Sequence, residues 1–260
     1  MRAVKPAALG LGRVPVREAT AKNQCAISHS NKTCLSYNKS VFVNNNFEIY
    51  LRPTRFIDSD NPKVIEYAHA KTSADKTDRQ KVVDLYLAVR DEILYNPYNL
   101  ILDPEEISAS KTLQRGNGYC IEKSLLLCAV GRVFGIPSRL GFSIVQNHLS
   151  TKKFVDMLRT DKFVFHGYNE FWLDNKWVKC TPAFNKSLCE KFGTNALDFD
   201  GEHDSIFQEY NGGKKYMNYL HEYGQFDDFP FELFVAELKV HYPHLFDEKN
   251  AHSFAWGAGE

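Results

Sequence analysis

Six consecutive apolar residues, Leu125 to Val130, sit inside a stretch from Ile121 to Phe134 that otherwise reads as one α-helix. Successive helical residues point about 100° apart, so an unbroken apolar run covers most sides of the cylinder. Such a helix is stable only where protein surrounds it. Gly135 is placed to cap its end and Pro137 to stop it. The chain must therefore build a shell around this segment. With 260 residues, 43% of them hydrophobic, it has the material to do so.

The shell can be read on both sides. Before the helix, "FEIYLRPTRFI" suggests a short strand from Phe47. Asn61 as N-cap and Pro62 at the first helical position predict a helix over about 62–72. Thr77 or Asp78 can cap a second helix, in which Val82, Tyr86, Val89 and Ile93 recur at helical spacing; Pro97 ends it. After the buried helix, "RLGFSIV" alternates as a strand. "KFVFHGYNEFWL" and "KWVKCT" follow as two more, with Asp174 and Asn175 as a two-residue turn between them. That turn pairs Leu173 with Lys176. It also puts His166, Tyr168, Glu170 and Trp172 on one face with Trp177, Lys179, Thr181 and Ala183. Thr181 then lies diagonal to His166. Helical pieces are expected at 214–223 and 230–241.

Net charge is zero, which disfavours nucleic acid as a partner. No apolar run reaches the roughly 20 residues of a membrane span. The first 47 residues are basic, with Glu18 their one acid, and 1–46 read as a disordered basic leader. A single domain is expected over 47–260, closing in an acidic extension rich in aromatics such as Phe207, Tyr210, Tyr216 and Tyr219. The cysteines, at 25, 34, 120, 128, 180 and 189, are few and form no C-x-x-C pair. They suggest a reducing, cytoplasmic setting and no disulfide framework. His203 lies among Asp200, Glu202 and Asp204 without the spacing of a metal site, so no metal is expected. No pattern calls for a cofactor.

Cys120 stands apart from these. It follows Gly116-Asn117-Gly118-Tyr119 and opens the buried helix. A helix N-terminus favours a thiolate, the glycines admit a sharp turn and a close substrate, and the peptide N–H groups there can hold an oxyanion. Gln114 could add a side-chain donor, or be a surface residue. Cys128, within the apolar run, fits a structural cysteine. Local sequence leaves Cys120 open between the two roles. His166 by itself reads equally well as a packed strand residue.

The order of these residues resembles the transglutaminase-like superfamily, whose core reads G-x-C, then a helix, then G-I-P-x-R. Here Gly118-Tyr119-Cys120 precedes Gly135-Ile136-Pro137-Ser138-Arg139. The family's later histidine, glutamate four residues on and W-V pair match His166, Glu170 and Trp177-Val178. The resemblance implies an α+β papain-like fold in which the helix starting at the nucleophilic cysteine packs on an antiparallel sheet. It implies Cys120 as nucleophile and His166 as base and later acid, acting on an amide through a thioester. The family's third residue, an aspartate, falls at Thr181. A threonine can accept the imidazole N–H but supplies no charge; Asn185 or Glu170 could stand in for it. Gly118, Tyr119 and His148 are candidates to line the cleft.

Two readings follow. One is a cysteine-dependent amide hydrolase or acyl transferase, with hydrolysis favoured, acting on a peptide, a protein side-chain amide or a small amide. The other is a catalytically impaired fold that binds a peptide or partner, motivated by Thr181.

Overall fold

The computed structural model describes residues 47–147, 150–206 and 217–247. The leader, Cys25, Cys34, His148, Phe207, Tyr210 and Tyr216 lie outside them. The chain opens on a 3₁₀ turn, Glu48–Tyr50, where a strand was expected. Phe47 and Tyr50 are drawn out of any ladder by their rings. Phe47 packs on Trp172 at 4.9 Å, and Tyr50 meets Trp177 edge-on at 5.3 Å.

Helix α1, Pro62–Lys71, is capped by the Asn61 side chain, which accepts from the Lys63 N–H. Helix α2, Asp78–Glu92, takes Thr77 as its cap: the Thr77 hydroxyl accepts from Gln80 N–H and the Gln80 side chain accepts from Thr77 N–H, a capping box. A short parallel pair follows, β1 Leu94–Tyr95 with β2 Asn117–Gly118, around helix α3, Ala109–Arg115. The long helix, α4, spans Cys120–Val133, one residue from the expected start. It ends in a Schellman motif on Gly135, φ 68°: Gly135 N–H donates to Arg132 and Ile136 N–H to Gly131.

Every residue from Cys120 to Arg132 is buried. Helices α1, α2 and α3 cover one side, and a four-stranded antiparallel sheet the other. Even its ionic side chains are enclosed, so each meets a partner. Lys123 Nζ donates to the carbonyls of Arg90 at 2.8 Å and Ile93 at 2.6 Å. Arg132 donates to the carbonyls of Arg52, Ser138 and Asp227.

The sheet runs β5-β4-β3-β6, with β3 Ser138–Asn147, β4 Lys162–Leu173, β5 Lys176–Cys180 and β6 Met217–Phe226. Helix α5, Lys152–Leu158, joins β3 to β4, α6, Lys186–Lys191, follows β5, and α7, Phe231–His241, comes last. The β4–β5 register is the one expected: Leu173 faces Lys176, and Asp174 and Asn175 both take positive φ. Asn169 and Phe171 face α4, where the Asn169 amide donates to the Ser124 carbonyl. Glu170 and Arg139 pair on the opposite face.

The expected helix at 214–223 is instead strand β6 over its described part. β6 pairs with β3 from Met217, opposite Asn147, to Phe226, opposite Leu140, with two register shifts on the way, and this ladder takes up the backbone groups a helix would have used. Gly224, φ 101°, would also weaken a helix there. Helix α7 falls where 230–241 was expected. No helix among the described residues is long and apolar enough to cross a membrane.

Candidate active site

The site forms where the start of α4 meets a break in β4. Between Ser143 and Val145 of β3 the register shifts by one, leaving an extra residue in β4. Phe165 absorbs it with φ 62°, unusual for a bulky side chain. Stacking against Phe142 at 4.8 Å, with Tyr223 at 4.6 Å and Phe234 at 5.6 Å, holds its ring in place. Tyr242 pins the same segment: its hydroxyl accepts from Val164 N–H and donates to the Lys162 carbonyl. The bulge breaks the strand's alternation, so Phe163, Val164 and His166 all line one cavity with Cys120 and Tyr119.

Cys120 is 6% exposed and His166 3%. Burial disfavours the charged form of each. It pushes the thiol up to about 11, against the pull of peptide N–H groups from Gly167, Ile121 and Cys120 itself. It pushes the imidazole down to about 4. At neutral pH the cavity is lined by a thiol and a neutral imidazole. Among the described residues, the buried His166 Nε2 has no hydrogen-bond partner.

Gly167 makes the close approach of strand to helix possible. A Cβ there would lie 3.2 Å from the Ile121 Cα and 3.4 Å from the Cys120 carbonyl carbon, both backbone atoms that cannot turn aside. Thr181 shares a second, small cavity with His166, about 10 Å³, at the threshold for one water. Its hydroxyl donates to the Gly167 carbonyl at 3.3 Å instead of accepting from the imidazole. Thr181 thus braces the glycine on which the nucleophile rests.

The other candidates fall in different places. Glu170 is held by Arg139, which donates to Oε2 from Nε at 2.9 Å and from a terminal nitrogen at 2.6 Å, and so does not serve His166. Asn185 accepts from Tyr95 N–H and donates to Ser187. Gln114 is exposed on α3 and lines no cavity with Cys120. Gly118 is buried behind the site, where a Cβ would sit 2.9 Å from that of Glu122. This lets the Glu122 carboxylate accept from Tyr119 N–H at the helix start while pairing with Arg115. His203 donates to or accepts from Asp200 in an exposed loop. Among the described residues no three His, Cys, Asp or Glu side chains are grouped to hold a metal ion. Gly167, Phe165 and Tyr242 carried no spacing signal: their roles depend on a bulge and on a helix docked from 75 residues away.

Residues 65–182 match the family model of the transglutaminase-like superfamily. No curated protein matches the chain. Among solved structures, it is similar to a "putative cysteine protease" from Cytophaga hutchinsonii, at 19% identity and a TM-score of 0.44, covering 54% of this chain and 43% of that one. It is also similar to a "putative protease" from Parabacteroides distasonis, at 12% identity and a TM-score of 0.33, covering 59% of this chain and 26% of that one. This chain thus spans less than half the length of either. The matched segment runs from α1 through the helix that opens on Cys120 and past Thr181, so residues 65–182 carry a transglutaminase-like superfamily core.

Proposed function

We propose that the chain is a cysteine-dependent amide hydrolase or acyl transferase that works from a neutral thiol–imidazole pair. The observation that carries this is the shared cavity of Cys120 and His166, with Gly167 N–H directed at the sulfur. His166 takes the thiol proton as sulfur bonds to the carbonyl carbon, as histidine does for a serine nucleophile. The N–H groups at the start of α4 face the charge that develops. The imidazolium then protonates the leaving amine, the C–N bond breaks and a thioester remains. Water or a second amine, losing its proton to His166, attacks the thioester and releases Cys120 as thiol.

The test is turnover of p-nitrophenyl acetate. The expected result is a p-nitrophenolate burst equal to the enzyme present, with an acetyl group on Cys120 by mass spectrometry. Because the base must be unprotonated, kcat/KM should rise with pH through about 4, well below the ordinary histidine range. A burst that survives in Cys120→Ala, or no burst in the wild type, overturns the proposal.

One observation favours a second reading, a binding scaffold: the Thr181 hydroxyl donates to the Gly167 carbonyl and brings no negative charge to the imidazole. That reading takes over if the wild type shows no burst.

A further inference from the structure

The cavity holding Cys120 and His166 does not end there. It shares Tyr95, Pro97, Tyr98, Phe154 and Phe163 with a larger neighbour of about 180 Å³ that runs out to Phe184 and Phe192. The two form one trough leading from the nucleophile to the surface. Among the described residues, no Asp, Glu, Lys or Arg lines either part. A charged group entering it would lose its water with no charged lining residue to replace it. The outer part exceeds the roughly 150 Å³ that holds one benzene in an engineered apolar cavity. Its rings already meet edge to face, Tyr95 on Phe184 at 4.7 Å and Phe154 on Phe163 at 5.0 Å, the packing an added ring would extend. Two buried hydroxyls in the trough, Ser150 Oγ and Tyr119 Oη, have no hydrogen-bond partner among the described residues. They can meet the N–H and C=O of an amide.

We infer that the trough is the acyl-side subsite, and that the substrate is an uncharged amide carrying an aromatic side chain next to the reacting carbonyl. The inference rests on the proposed acyl chemistry for its orientation, but its test does not need turnover. N-acetyl-4-fluorophenylalanine amide is titrated into the full-length Cys120→Ala protein and followed by fluorine NMR. The N-acetyl amides of phenylalanine, glutamine, glutamate and lysine then compete. The phenylalanine amide should displace the probe at least tenfold more effectively than the other three. Phe192→Ala, at the exposed rim, should weaken the probe several-fold. Leu188→Lys, which puts a cation in the outer wall, should bring the glutamate amide level with or ahead of phenylalanine. The inference is overturned if the glutamine amide competes as well as the phenylalanine amide. It is equally overturned if the probe does not bind, as when a segment of this chain fills the trough. An ester burst with no aromatic preference would sink the subsite and leave the chemistry standing. Aromatic binding with no burst would do the reverse.

Discussion

Burial sets the chemistry at Cys120 and His166. Each group is driven toward its uncharged form, so an ion pair is not the resting state. The transglutaminase-like resemblance puts the aspartate that would favour imidazolium at the position of Thr181. Restoring it, Thr181→Asp, places a carboxylate on the small cavity beside His166 and should raise the imidazole pKa. The acid limb of kcat/KM for p-nitrophenyl acetate should move up by at least one pH unit, with a rate gain of about tenfold or more. An unmoved limb in a folded variant would show that position 181 does not reach the ring. The same burial has a stability signature. His166 titrates near 4 when folded and near 6.5 when unfolded, so between those values the unfolded chain binds more protons. Stability should therefore fall as pH drops through 6.5 toward 4, by on the order of 3 kcal/mol from this residue. Urea midpoints across that window should show a shallower loss in His166→Gln than in the wild type.

At the scale of elements, the site is a contact between the first turn of α4 and the strand just past the β4 bulge. Gly167 is the point of closest approach. Gly167→Ala brings a methyl against the backbone of Cys120 and Ile121, so strand and helix must separate. Melting should show a loss of about 1–3 kcal/mol. The ester burst should slow by about tenfold, because moving the strand by a few tenths of an ångström already displaces the nucleophile from its base. A variant that loses stability but keeps the burst rate would mean that the contact serves packing alone. The bulge, the strained Phe165 and the Tyr242 hydroxyl act together here, since each holds the segment that His166 begins.

Across the whole molecule, the face of the sheet opposite α4 is tied by one buried ion pair. Arg139 on β3 grips Glu170 on β4, its guanidinium lies 3.9 Å from the Trp177 ring centroid on β5, and Gln225 of β6 donates to Glu170 at 3.3 Å. All four strands meet at this group. Glu170→Gln leaves the Arg139 charge enclosed without a counter-ion, which costs about 3–5 kcal/mol. In a chain of this size that is a fall in Tm of about 10 °C, measurable by calorimetry. The burst amplitude per folded molecule should hold, because Glu170 serves the sheet and not the imidazole. A lost burst with unchanged Tm would reverse that assignment.

What the sequence determined by itself is local or periodic. The caps at Asn61 and Thr77, the all-round apolar helix, its glycine stop, and the Asp174-Asn175 turn each depend on a few adjacent residues, so they could be read directly. The order G-Y-C, G-I-P-S-R and His166 named the family for the same reason. The aromatic stretch around Tyr219 was mistaken for helix because its partner, β3, lies some 75 residues earlier and short alternation is ambiguous without it. Tertiary structure alone decided that Glu170 belongs to Arg139, that Thr181 turns to Gly167 and that Gln114 stays outside. It also decided that rings from segments far apart in the chain, such as Tyr95, Phe154, Phe163 and Phe184, line one trough beside Cys120. These depend on which segments meet across the core and how much water they exclude, and neither quantity is written in any short run of residues.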